Sequence, residues 1–131
     1  MPGYEAPVNC FFSLGNRSAA VRIPEYANQT DTVRFVYRSP DATCNVYLAM
    51  ASMMMAGIDG IKKEMDPAEK GFGPINDDIF SWSDEQRSKI KSLPTDLEGA
   101  LDALEADHDF LLDGGVFSKE IIEMWIAKKR A

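Results

Sequence analysis

The sequence predicts an α+β fold, with a few antiparallel strands in the first third and several helices after them. Two observations carry that expectation. Branched and aromatic residues cluster at short spacing before Ser39, whereas from Asp41 onward apolar residues recur every three or four positions. A third bounds it: 131 residues with 45% hydrophobic and 27% charged content suit one globular domain and exclude a disordered or collagen-like chain. We therefore expect one unit over 1–131, made of a strand and loop segment (1–40) and a helical segment (41–131).

Val8 to Phe12 and Ala19 to Ile23 read as strands separated by a turn at Gly15-Asn16. Pro24 ends the second, and Asn28 to Asp31 forms a polar connection. Thr32 to Arg38 alternates, which assigns Val33, Phe35 and Tyr37 to a core and sets Arg34, Val36 and Arg38 on the opposite face. Asp41 is a suitable N-cap for a helix reaching about Met65, whose stripe Val46, Met50, Met53, Met54, Gly57, Ile58 and Ile61 we expect to pack inward. Pro67 to Pro74 breaks the pattern as an exposed loop. Ser83 to Gln86 and Thr95 to Glu98 have the capping-box form, and Leu97, Ala100, Leu101 and Leu104 make the buried stripe of the second helix. Gly114-Gly115 closes that unit. Phe117 can staple onto Ile122 across Ser118, starting a last helix with Ile121, Trp125 and Ile126 inward and a solvated Lys128-Lys129-Arg130 end. His108, among acidic residues, reads as surface.

The net charge of −7 argues against a nucleic-acid binder. Its distribution is uneven. Arg17, Arg22, Arg34 and Arg38 meet only Glu5, Glu25 and Asp31 before Ser39, and every lysine follows Ile61. Arginine without lysine suits forked recognition of carboxylates or phosphates, a solvated edge being the plain alternative. The longest apolar run, Ala49 to Ile58, is about half of the roughly 20 residues a bilayer span needs. Met1-Pro2-Gly3 does not open like a signal peptide, and Cys10 and Cys44 match no disulfide scaffold or metal spacing. We expect buried thiols, a cytoplasmic address and no membrane partner. No Ser/His/Asp or Cys/His arrangement is apparent.

Several motifs in order resemble one family. Pro2-Gly3-Tyr4-Glu5-Ala6-Pro7, Asn16-Arg17-Ser18-Ala19-Ala20-Val21-Arg22-Ile23-Pro24, Arg38-Ser39-Pro40-Asp41 and Asn45-Val46-Tyr47-Leu48-Ala49 are similar to the C-terminal part of the catalytic domain of type I glutamine synthetase. Met55 to Lys62 and Gly114-Gly115-Val116-Phe117 extend the likeness to the far end of the chain. The resemblance implies a fragment of a catalytic barrel domain. The parent would be a ligase of nitrogen metabolism that makes glutamine from glutamate, ammonia and ATP through γ-glutamyl phosphate, assisted by Mg²⁺ or Mn²⁺.

It also implies roles. Glu5 would close over the glutamate site and help accept a proton from ammonium; Arg17 would contact phosphate during transfer; Arg22 would bind nucleotide phosphate; Arg38 would hold the substrate glutamate's carboxylate. Arg34 corresponds to a further phosphate-facing position, after a loop one residue longer than the enteric bacterial pattern. Fixed cations suit this chemistry, because phosphoryl transfer spreads negative charge over several oxygens. Two positions depart from the family. Val36 stands where a metal-ligating Glu is expected, so this chain supplies no metal ligand there, and Phe80 falls near a Tyr that receives an adenylyl group in some members. The remaining metal ligands and the substrate motif lie upstream in the family, so the chain alone is expected to be inactive. The parent is expected to be a large ring-shaped homo-oligomer. Alternatives are a γ-glutamyl-amine ligase of the same family or a non-catalytic assembly or regulatory domain.

Overall fold

The computed structural model describes residues 6–28, 31 and 33–131. They form two compact units, each assembled from two stretches of chain: 1–41 with 66–93, and 42–65 with 94–131.

The first unit is built on a small sheet of β1 (Phe12–Leu14), β2 (Val21–Ile23) and β3 (Val36–Tyr37), in that order. β2 and β3 run antiparallel, pairing Arg22 with Val36 and Val21 with Tyr37. β1 and β2 run parallel, with Phe12 opposite Val21 and Ser13 opposite Arg22, so this pair departs from the expected antiparallel arrangement. The reason is length. A three-residue strand advances only about 10 Å, and the six residues between Leu14 and Val21 can return the chain that far without a long crossover. The extended residues before β1 pair elsewhere: Cys10 N–H donates to the Lys91 carbonyl and Leu93 N–H to the Val8 carbonyl.

The loop after Pro67 is tied to β1 as well. Phe12 N–H donates to the Phe72 carbonyl and Ile75 N–H to the Phe12 carbonyl. Gly73 sits at φ 121°, and a Cβ there would approach the Phe12 carbonyl oxygen to 2.5 Å, so only glycine fits. Phe11, Ala19, Ile79 and Ile90 make this unit's core, flanked by Ile75 and Trp82. Ile79 lies in a short 3-10 turn (Ile79–Ser81) capped by Asp78. α1 (Val46–Lys62) belongs to the second unit, whereas α2 (Asp84–Arg87) lies in the first and opens with the expected capping box of Ser83 and Gln86. Val33 and Phe35, expected in a core, are 74% and 70% exposed. Phe35 and Tyr37 instead line an apolar hollow of about 390 Å³ with Phe12, Val21 and Phe72.

In the second unit, α1 is joined by α3 (Leu97–Ala106), α4 (Asp109–Leu112) and α5 (Lys119–Arg130). Met55, Leu101, Leu111, Phe117, Ile122 and Ile126 form the core, with Leu48 and Ala51 packed against it. Phe117 and Ile122 both enter it, as the staple predicts, and Ser118 Oγ accepts from the Ile121 amide. The face α1 buries differs from expectation. Met50, Met54 and Ile61 are 61%, 66% and 79% exposed, while Leu48, Ala51 and Met55 turn inward. This helix is apolar almost all round, so its periodicity does not select a face.

Caps shift in the same way. Asn45, not Asp41, caps α1, its Oδ1 accepting from Tyr47 and Leu48 amides at 3.1 and 3.2 Å. Asp96 rather than Thr95 caps α3, accepting from the Gly99 amide at 2.8 Å. A carboxylate there also complements the helix dipole. Of the expected α3 stripe, Leu101 is buried and Leu104 partly so, while Leu97 at the first turn is 57% exposed. Ile121 likewise points out, and Ile122 takes its place.

His108 is half-buried, its Nδ1 lying 2.9 Å from the Leu104 carbonyl and 3.1 Å from that of Glu105, where it serves the end of α3. Arg130 is exposed, as expected of the basic end of α5, but it is not without partners. Its guanidinium bonds Glu98, Asp102 and Glu105, one acidic stripe of α3, and Glu105 and Glu98 raise its pKa. Cys44 is exposed and Cys10 partly so, which corrects the expectation of buried thiols; both are free. Among the described residues no helix is long and apolar enough to cross a membrane.

Candidate functional site

The Gly15-to-Ser18 turn and the first residues of β2 bring two arginines to one cavity. Arg17 projects from the turn between β1 and β2, exposed; Arg22 sits in the middle of β2, half-buried. Both line a cavity of about 670 Å³ with Glu25, Tyr26, Asn76 and Phe80 among its walls. Arg22 is held in place, because its Nε donates to the Gly15 carbonyl at 3.0 Å. The turn carrying Arg17 is organised by Asn16, whose Oδ1 accepts from the Ser18 amide at 2.9 Å and the Ser18 hydroxyl at 2.7 Å.

Arg34 does not line this cavity but contacts Tyr26, which does. Its guanidinium lies 4.7 Å from the centroid of the Tyr26 ring, within the range of a cation–π contact. Arg38 does not line the cavity. It follows β3, half-buried, with its amide donating to the Ala20 carbonyl at 2.9 Å. Val36 is directly across from Arg22 in the β2–β3 pair, so the two side chains share a face of the sheet, and Val36 brings no oxygen to it. Glu5 lies outside the described residues. Among the described residues no three His, Cys, Asp or Glu side chains stand close enough together to hold a metal ion.

The cavity wall carries two guanidinium groups, Arg17 and Arg22, and two carboxylates, Glu25 and Asp78. Asp78 is committed as a cap, its Oδ1 accepting from the Phe80 amide at 3.0 Å. Glu25 stands beneath Gly15. Two guanidinium groups, that of Arg22 fixed by a backbone carbonyl, with aromatic rings of Tyr26 and Phe80 alongside, can bind a polyanion and stack a planar group. Asn76, Tyr26 and Phe80 escape a reading by residue type. None belongs to an arginine motif, and the 76–80 stretch joins the cavity only through tertiary contacts with β1.

Comparison with known proteins places this geometry in context. The family model described as glutamine synthetase, catalytic domain, matches residues 1–131. A glutamine synthetase from Aquifex aeolicus is 51% identical over 131 residues, covering the whole of this chain and 27% of the relative. One from Streptomyces coelicolor is 47% identical over the same span, again 27% of its length. The chain thus spans about a quarter of the length of the curated relatives it matches. Among solved structures, a Plasmodium falciparum glutamine synthetase aligns with a TM-score of 0.73 at 28% identity, over 98% of this chain and 32% of that one. A GmaS complex with ADP aligns with a TM-score of 0.74 at 30% identity, over 95% of this chain and 25% of that one.

Proposed function

The chain belongs to the glutamine synthetase catalytic-domain family, and from that premise we propose that it is a C-terminal portion of a glutamate–ammonia ligase. The parent would transfer the γ-phosphoryl group of ATP to the side-chain carboxylate of glutamate. Ammonia would then attack the acyl phosphate, releasing phosphate and leaving glutamine. The observation that supports this most is the convergence of Arg17 and Arg22 on one cavity. Two forked cations can share the charge of a phosphate chain as its terminal group moves, which is where catalysis of phosphoryl transfer lies.

In this reading Arg17 steadies the phosphoryl group in transit and Arg22 the nucleotide phosphates, with Arg34 stacked on Tyr26 as a further cation at the rim. Arg38, apart from that cavity, holds the carboxylate of glutamate, and Glu5 shields the acyl phosphate and takes a proton from ammonium. The family's Mg²⁺ or Mn²⁺ does not fit the residues present: Val36 offers no oxygen to an oxygen-seeking cation. The metal ligands would come from the remainder of the parent subunit. The parent would act in the cytoplasm as a ring-shaped homo-oligomer. Ammonia is the acceptor favoured over another amine, since the curated relatives above are glutamine synthetases.

Two measurements test this. Inorganic tripolyphosphate should bind the purified chain by titration calorimetry, and Arg17→Ala or Arg22→Ala should weaken it at least tenfold, a charge-assisted contact contributing about 1.5–3 kcal/mol. Affinity unchanged from the unsubstituted chain in both variants refutes the phosphate assignment. Assayed alone with glutamine, hydroxylamine and Mn²⁺, the chain should show no γ-glutamyl transfer; sustained turnover refutes the reading as an incomplete catalytic domain.

A further inference from the structure

The turn that carries Arg17 is held from outside by a segment more than fifty residues away in sequence. Ser13 is fully buried, and its hydroxyl donates to Asn76 Oδ1 at 3.0 Å while its oxygen accepts from the Asn16 amide at 3.3 Å. Asn76 Oδ1 also accepts from the Leu14 amide at 2.9 Å. On the other side of the turn, Asn16 Nδ2 donates to the Asp77 carbonyl at 2.9 Å. The Leu14 N–H can only donate, so it fixes which end of the Asn76 amide faces β1.

We propose that Asn76 is a positioning residue for Arg17. It acts through Ser13 and Asn16 rather than by touching the anion. The chain of bonds runs from Asn76 to the Ser13 hydroxyl, from there to the Asn16 amide, and through Asn16 Oδ1 to Ser18. Arg17 is thus bracketed by two residues whose backbone is pinned. An exposed arginine on an unpinned turn would have to be ordered when the anion binds; here that ordering is already present. Ser13 is buried with its hydroxyl already given to Asn76, and the Oδ1 of Asn76 is spent on Ser13 and Leu14, so these bonds serve the turn and not the anion.

This inference rests on the reading of the cavity as a phosphate site, and a double-mutant cycle separates the two. Asn76→Ala should weaken binding of inorganic tripolyphosphate to the full 131-residue chain by on the order of tenfold, the worth of about one lost hydrogen bond. In an Arg17→Ala background the same substitution should have almost no further effect, because the residue it positions is gone. Equal losses in both backgrounds would mean Asn76 contacts the anion itself or acts elsewhere, and would overturn the proposal. So would unchanged affinity in Asn76→Ala. If the unsubstituted chain fails to bind tripolyphosphate, the phosphate reading falls and the inference with it. A second measurement needs no ligand: amide hydrogen exchange at Leu14 and Ser18 should quicken in Asn76→Ala and in Ser13→Ala, with protection in α5 unchanged. Unaltered exchange at both amides would refute the pinning.

Discussion

Val36 stands across from Arg22 and gives that face of the sheet a methyl surface where an oxygen would draw a cation. Restoring Glu there in the full-length parent should raise affinity for Mg²⁺ or Mn²⁺, read from metal titrations of activity; unchanged metal dependence would remove Val36 from the metal question. Gly73 poses a different constraint, purely steric. Gly73→Ala must relieve both a left-handed backbone and a contact with the Phe12 carbonyl, and should destabilise by roughly 1–3 kcal/mol in urea melts. At the start of α5, Glu120 accepts from its own amide and from the Ser118 hydroxyl, which holds its carboxyl below the usual carboxylate range; Asp113 is lowered by Lys62. Groups with depressed values stabilise the fold above their ordinary pKa and lose that contribution as pH falls through the folded value. Stability should therefore be flat near neutrality and decline from about pH 4.5 downward, and Glu120→Gln should flatten the decline. An identical acid profile in that variant would exclude Glu120 as a contributor.

At the scale of elements, α1 separates what pattern can say from what packing decides. The existence of the helix was legible, but its span was expected from Asp41 to about Met65 and is Val46–Lys62, and its buried side was not legible, because apolar residues surround the axis. Met55→Ala should destabilise by about 2–5 kcal/mol, whereas Met54→Glu should shift stability by no more than about 0.5 kcal/mol. The reverse order in denaturant melts would mean the face is assigned wrongly. Helix ends were legible where side chain and backbone agree, as at Ser83 and Ser118. They slipped by one position at Asp96 and by four at Asn45, where a better-placed oxygen outcompetes the expected cap. The strands were legible as extended chain, yet their pairing was not: alternation put Val33 and Phe35 in a core where they are exposed, and it carries no information on the direction of β1 against β2. The arginines of the candidate site were legible by type, and Arg17 and Arg22 share a cavity. The Asn76 support was hidden, since a lone asparagine beyond a Gly-Pro loop carries no spacing signal.

For the molecule as a whole, the core of the second unit and the cavity of the first are built from different stretches of chain. Ile126→Ala should lower the melting of the helical unit by the cost of a core truncation, about 2–5 kcal/mol, with tripolyphosphate affinity at 25 °C nearly unchanged. A parallel loss of affinity would show that the cavity draws on α5. Each unit is sewn from two stretches, 1–41 with 66–93 and 42–65 with 94–131. A contiguous gene segment cannot deliver either one. Cutting at residue 93 strands α1 from α3 and α5, and cutting at 41 removes the 66–93 stretch from the sheet. An exchange of segments between relatives would have to swap alternate pieces together to keep any core intact. The interleaving ties the inheritance of the arginine-bearing strands to that of the helices.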